Sequence, residues 1–348
     1  MIKSRLFWPV LILLIILAIN LLFDPGFFQI EVKNGHLTGS LIDILNRGAP
    51  LILISLGMTL VIATKGIDLG VGSVIAMSGA IAAMTVGPSA SNDSLVPLFT
   101  AIAFAIGLSV AAGLWNGLLV SRFGIQPIVA TLVLMVAGRG IAQLITSGQI
   151  TTIYYEPYSF IGGGYLFAIP FSVFIVAAVF CFTLFMTKRT AIGLFIQSVG
   201  TNPEASRLAG INSKNIILLV YLFSGFCAGV GGLILSSNVE SADGNNAGLW
   251  YELDAILAVV IGGTSLIGGR FYLMGTVIGA LIIQSLTTTI YSIGIPPETN
   301  LLVKAIVVLI VCLLQSPSFR EKVLGKTKRK PYNNISQDSK NEQGVNLS

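Results

Sequence analysis

The sequence predicts an all-α, polytopic membrane protein of about ten transmembrane helices, and three observations lead there. Hydrophobic residues make up 54% of the 348 and charged residues only 10%, against roughly 25% charged in soluble domains. Mean hydropathy is +0.87, and apolar runs close to the length that spans a bilayer recur along most of the chain. Glycine is abundant, at 38 residues, as suits helices that must approach closely in lipid without a hydrophobic force drawing them together.

The first span is placed at 7–23, behind Lys3 and Arg5. This charge pattern resembles a signal peptide, but the run is long for a cleaved segment and no small-residue cleavage site follows, so a retained span is expected. The next spans are placed at 44–63, 69–86, 96–120, 128–146, 166–187, 215–236, 253–268, 271–290 and 299–315. An even number of spans puts both termini on one side. That side then carries Lys65, Arg122, Lys188, Arg189, Arg207, Lys214, Arg270 and a tail cluster from Arg320 to Lys330. The opposite side carries Asp24, Glu31, Asp93, Glu156, Glu240, Asp243 and Glu298, with Lys33 almost its only base. The positive-inside rule makes the basic side the cytoplasm. The net charge of +5 is therefore a matter of orientation, and no nucleic-acid partner is called for. Residues 1–318 are expected to form the transmembrane domain and 319–348 a basic, disordered cytoplasmic tail, polar and without apolar periodicity.

Composition also argues against several chemistries. Cys181, Cys227 and Cys312 each fall inside an apolar run and read as small packing residues. His36, the only histidine, lies in a polar stretch and reads as a solvated loop residue with no second metal ligand nearby. LGKT at Leu324 to Thr327 imitates the end of a phosphate-binding loop, but Arg320 stands where that motif needs glycine.

Between the sixth and seventh spans, TAIGLFIQSVGTNPEASRLAGIN follows Arg189 and ends at Asn212. Within it Asn202 is a good N-cap, Pro203 suits the first helical position, and Gly210 can take the left-handed conformation that stops a helix. A short helix from Pro203 to Ala209 is expected. Its face of Ala205, Leu208 and Ala209 suits docking into a groove on a soluble partner, because so short a helix is marginal alone.

Two segments place acids beside glycine-rich, interrupted spans: KGIDLGVGSVIAMSGA, Lys65 to Ala80, and LWYELDAILAVVIGGTSLIGGR, Leu249 to Arg270. A carboxylate at the centre of a span costs on the order of 2.5–3.5 kcal/mol, so Asp68, Glu252 and Asp254 need partners, a helix N-terminus or water. Capping of the following half-helices by Asp68 and Asp254 is favoured over direct contact with a solute. Gly262 and Gly263, with Gly268 and Gly269, leave the eighth span short and broken, the second pair reading as a tight turn. IDLGVGSV and ELDAILAV start spans three and eight, which run in opposite directions, a weak hint of an inverted repeat. Asn116, Arg139, Gln143 and Gln284 are further polar residues inside spans. Arg139 and Gln143 share a helical face and either line a polar path for a hydroxylated solute, or Arg139 snorkels or pairs with an acid. Trp250 and Tyr251 read as aromatic-belt residues before sugar-stacking ones.

Five stretches, taken together, resemble the membrane permease of ribose-type sugar ABC importers: NRGAPLILISLGMTLVIATKGIDLGVGS, GLWNGLLV, QPIVATLVLMVAGRGIAQLIT, VGTNPEASRLAGIN and ELDAILAVVIGGTSLIGGR. The likeness runs from Ile42 to about Gln315, and GQI with NNAGLWYELDAILAVVIGG looks closest to galactofuranose importer permeases. It implies a type II importer fold of ten helices and a path formed by two permease subunits, either a homodimer or a pair with a related chain. It also implies an ATP-binding subunit on the cytoplasmic side, which holds ATP and Mg, and a periplasmic sugar-binding protein. This chain itself would bind no cofactor and sit in the inner membrane with both termini cytoplasmic. Gly200, Asn202, Pro203, Glu204, Ala205, Leu208, Ala209 and Gly210 then form the segment that receives the ATPase stroke. Asp68, Asn116, Arg139, Gln143, Glu252 and Asp254 are the candidates for the translocation path. The family pattern Gly-Gly-Ile-Asp-Leu-Ser-Val-Gly is departed from at Lys65 and Gly70.

The main alternative is a proton-coupled secondary sugar transporter in which Asp68, Glu252 or Asp254 carries the proton. It leaves the capped helix unexplained. An intramembrane enzyme would need a nucleophile and base or a metal cluster, and no span carries a histidine.

Overall fold

The structure, a computed structural model, describes residues 2–23, 26–33, 35–87, 92, 94–294, 301–306, 309 and 313. Asp24, Asp93, Glu298, Cys312 and the tail from residue 319 lie outside the described residues.

Twelve helices are described over these residues: α1 Ile2–Phe23, α2 Ser40–Ala63, α3 Val71–Val86, α4 Val96–Ser121, α5 Pro127–Ile145, α6 Glu156–Gly163, α7 Phe171–Arg189, α8 Ile192–Thr201, α9 Pro203–Leu208, α10 Ser213–Val239, α11 Tyr251–Ile261 and α12 Leu273–Ser292. Six of them, α2, α4, α5, α7, α10 and α12, are long and apolar enough to cross a membrane, and α1 and α3 contain shorter apolar helices. Residues 301–306 are also helical, inside the last expected span.

Two helices form the centre. Along α2 every residue from Gly48 to Ala63 is buried, and a helix apolar on all sides belongs inside a bundle. α10 packs against α2, α3 and α4 through Ser224, Gly225, Cys227, Ala228, Gly229, Gly231 and Gly232, all buried. Small side chains there let backbones approach without the large apolar gain available in water. α12 closes the other flank against α2, α11 and α1. Outward faces of α4, α5 and α7 expose Phe104, Val136 and Phe185, as lipid contact requires.

Two elements are too short to cross as helices alone. α3, with 16 residues, is about 24 Å long, and α11, with 11, about 16 Å, against a hydrocarbon core of about 30 Å. Each follows a non-helical segment, residues 64–70 or 240–250, that runs into the bundle. Irregular backbone at such depth is tolerated where protein surrounds it.

The loops gather at two ends. At one, the Gly269 amide donates to the Ala63 carbonyl at 2.9 Å, Lys65 reaches Thr201, and Arg122 reaches Asn215. At the other stand three small antiparallel ladders, which the all-α expectation lacked: β1 Glu31–Lys33 with β2 His36–Thr38, β3 Thr151–Thr152 with β6 Ser241–Ala242, and β4 Tyr165–Leu166 with β5 Ile169–Pro170. They pair backbone groups of loops that would otherwise be left unsatisfied. The hairpin of β4 and β5 delays the start of α7 to Phe171, later than the expected 166. His36 is exposed, as expected, but lies on β2 rather than in a loop and stacks on Tyr165 with ring centroids 4.5 Å apart. Cys227 is buried as expected, whereas Cys181 lies exposed on α7.

Candidate functional site

The segment 190–212 is two helices where one was expected. In α8, Gly193, Ile196, Val199 and Gly200 are buried, a spacing of three, three and one that makes one helical face and lays the helix along the bundle end. Gly200 meets α2 so closely that a Cβ there would collide with the Ala63 carbonyl and approach the Gly269 amide. Asn202, extended at φ −153, ends α8 and begins α9. Its side-chain oxygen accepts from the amides of Glu204 at 3.0 Å and Ala205 at 3.1 Å, the cap expected from the sequence. α9 ends at Leu208 with Ala209 as its C-cap, and Gly210 takes φ +85. Ser206 is buried and bonds back to the Asn202 carbonyl at 2.8 Å. Glu204, Ala205, Leu208 and Ala209 face outward, with Leu208 87% exposed. The Glu204–Arg207 pair, 3.7 Å apart on open surface, adds little stability.

Asp68 does not cap α3. The N-cap position belongs to Gly70 and carries no side-chain cap bond. Asp68 instead lies inside the bundle, 3% exposed, accepting from Ser224 Oγ at 2.8 Å, the Gly70 amide at 3.1 Å and Asn116 Nδ2 at 3.3 Å. These donors come from α10, the segment 64–70 and α4, so the carboxylate joins three elements. Asn116 Oδ1 and Tyr221 Oη have no hydrogen-bond partner among the described residues.

Asp254 is not a cap either. It sits in the first turn of α11, behind an N-cap at Trp250, and pairs with Lys304 Nζ at 2.8 Å, the two side chains 16% and 11% exposed. A part-buried carboxylate is tolerated when a cation and a hydrogen bond compensate it, and Lys304, in the helical residues 301–306, supplies both.

Arg139, Gln143 and Glu252 converge on the segment 240–250. Arg139 Nη1 donates to the Ala247 carbonyl, and Gly244 packs on the backbone of Ala142 and Gln143. Both residues do share one face of α5, and that face carries the incoming loop. Asp243 shapes the loop by accepting from the Asn245 amide at 2.8 Å, the Asn246 amide at 3.2 Å and Asn246 Nδ2 at 2.7 Å, an Asx turn. Burial pushes the Asp243 carboxyl up, but these bonds and the nearby Arg139 guanidinium outweigh it and hold it below the usual carboxylate range. Deeper in, Glu252 is 2% exposed, lies against Gly72 of α3, and leaves Oε2 without a partner among the described residues. A cavity of about 270 Å³ opens beside this loop, lined by Ile75, Gly79, Ser236, Asp243, Asn246 and Tyr251.

The six path candidates therefore separate into three places: Asp68 with Asn116, Arg139 with Gln143 and Glu252, and Asp254 with Lys304. Sequence reading missed Ser224, Lys304, Asp243 and the Ala247 carbonyl as their partners, and Asn246 as the partner of Asp243. Only Asp243 carried a local signal, an acid two residues before an Asn pair in a turn.

No solved structure matches this chain. Among characterised proteins, it is 49% identical over 333 residues to the galactofuranose transporter permease protein YtfT of Escherichia coli (strain K12), covering 94% of this chain and 96% of that one. It is 40% identical over 323 residues to the fructose import permease protein FruF of Bifidobacterium longum (strain NCC 2705), covering 91% and 89%. With the ribose import permease protein RbsC of Escherichia coli (strain K12) it shares 37% over 308 residues, covering 87% and 91%. Residues 40–312 match the family model described as branched-chain amino acid transport system / permease component, and the chain belongs to that permease family.

Proposed function

We propose that this chain is the permease subunit of an ATP-driven, type II ABC-like importer for a monosaccharide, with galactofuranose as the leading candidate sugar. The observation that carries this reading is α9: a capped, outward-facing helix joined through Asn202 to α8, which is buried along the bundle end. A soluble ATPase that grips Ala205, Leu208 and Ala209 would move α8 with it. ATP and Mg belong to that partner, a periplasmic sugar-binding protein delivers the solute, and a second permease subunit, identical or related, completes the pore.

In this reading residues 1–318 form a ten-span domain in the inner membrane, with the basic end and both termini cytoplasmic and 319–348 a polar tail. The sugar passes the segment 240–250, whose Asp243 and Asn246 line the cavity and whose Ala247 carbonyl Arg139 holds, with Gln143 and Glu252 beside it. Asp68 and Asn116 hold the helices that move, and Asp254 anchors the last span. Few strong polar contacts are needed on the path, since a permease that held its solute tightly would release it slowly.

The second reading is a proton-coupled secondary transporter, favoured by the unpartnered Glu252 Oε2. Uptake of a labelled monosaccharide panel into vesicles holding this chain with its neighbouring ATPase and binding protein separates the two. Uptake that requires both internal ATP and the binding protein supports the importer. Uptake without ATP that follows a proton gradient overturns it.

A further inference from the structure

We propose that Lys65 is a positioning residue that carries the movement of α9 and α8 into the Asp68 cluster; this rests on the reading of the chain as an ATP-driven permease. Lys65 stands at φ +65, the left-handed region that glycine adopts freely and a lysine adopts at a conformational cost. Its backbone turn alone gives no reason for a long cationic side chain there.

The side chain has a defined task. Lys65 Nζ donates to the Thr201 carbonyl at 2.9 Å. Thr201 is the last residue of α8, immediately before the Asn202 that caps α9. The last carbonyls of a helix lack intrahelical donors and carry partial negative charge, so an ammonium is a suitable partner. The lysine stem passes close to Gly268, whose neighbour Gly269 bonds the Ala63 carbonyl at 2.9 Å. The C-terminus of α2, the C-terminus of α8 and the turn between α11 and α12 therefore meet around this one side chain.

From Lys65 the chain runs without a helical turn to Asp68. The Ile67 carbonyl lies 3.2 Å from Thr131 Oγ1 of α5, whose single proton it shares with the Pro127 carbonyl at 2.9 Å, and Asp68 is bonded by Ser224 of α10 and Asn116 of α4. Residues 65–70 thus hold the end of α8 on one side and α4, α5 and α10 on the other. Displacement of α8 pulls on Thr201, then on Lys65, and through a short non-helical segment on the helices around Asp68. Without the lysine bond, α8 can shift by sliding on its glycine contacts.

The test uses the full permease reconstituted with its ATPase and binding-protein partners, measuring sugar taken up per ATP hydrolysed. Lys65→Gly relaxes the left-handed backbone, so its melting temperature should hold or rise. Uptake per ATP is expected to fall about tenfold, the low end for one lost hydrogen bond to a charged group, and Lys65→Arg is expected to recover most of it. The double variant Lys65→Gly/Asp68→Asn should lose no more than the worse of the two single variants, since both act in one chain of contacts. A wild-type ratio in Lys65→Gly, or fully additive losses in the double variant, overturns the assignment. If the wild-type complex itself shows no ATP-dependent uptake, the permease reading fails and this inference with it.

Discussion

Replacing Asn202 with alanine tests the coupling segment at its weakest point. The change removes the acceptor of two amide bonds, from Glu204 and Ala205, and leaves the backbone bond from the Ser206 amide to the residue 202 carbonyl in place. Loss of an Asn cap costs about 1 kcal/mol, within a range of about 0.5–2. α9 has six residues, too few to offset that loss by propagation, so the ratio of formed to open α9 should fall about fivefold. Because the helix is mostly exposed, the overall melting temperature should hardly move. Hydrogen exchange reads the effect directly: amides from Glu204 to Ala209 should exchange about five times faster, while those around the buried Ile196 and Val199 keep their protection. ATP-dependent uptake should drop in parallel. Unchanged exchange in α9, or a loss of protection spread over α8 and α10, would refute the view that Asn202 acts as a local cap.

Further consequences can be checked separately. Ala205→Asp, on the outward face of α9, and Gly210→Val, at φ +85, should insert normally yet uncouple ATP hydrolysis from uptake; normal transport in both would remove the coupling assignment. Lys304→Met strands the part-buried Asp254 carboxylate and should destabilise the protein, by less than the ~3–5 kcal/mol of a fully buried pair, in denaturation measurements, whereas Asp254→Asn/Lys304→Met should recover most of that loss. Equal losses in the single and double variants would contradict the pair. Glu252→Gln keeps the side-chain shape and removes the charge, so ATP-dependent uptake should persist with an unaltered pH profile; a proton carrier at this position would instead lose its pH dependence. For Asp243 the folded-state carboxyl is held down, so its contribution to the loop is present above the ordinary carboxylate pKa and is lost as pH falls through the lower folded value. Exchange protection of the Asn245 and Asn246 amides should therefore disappear in acid, and protection lost already near neutrality would contradict this.

What could be read from sequence divides along the distance over which the determining contacts act. α9 was legible because its cap, its Pro203 and its Gly210 lie within nine residues of one another. α8 was not, since its buried face of Gly193, Ile196 and Val199 is defined only by the bundle end it rests on. Asp68 and Asp254 looked like caps because each precedes or opens a helix. Their real partners stand 48, 156 and 50 residues away, at Asn116, Ser224 and Lys304. The ladders of β3 with β6 and β4 with β5 carry only two residues per strand, too few for period-two alternation to appear. Lys65 read as a departure from a glycine pattern, and only the position of the Thr201 carbonyl gives the departure a purpose.

A partner's ATP hydrolysis, received at α9, is proposed to drive sugar through this chain. This coupling is tested most directly by following labelled-sugar uptake and ATP hydrolysis together in vesicles that hold the complete complex, with Ala205→Asp as the comparison. Uptake in fixed proportion to ATP hydrolysed is expected for the wild type, and hydrolysis without uptake for the variant. Uptake that continues without the ATPase and follows the proton gradient would contradict it.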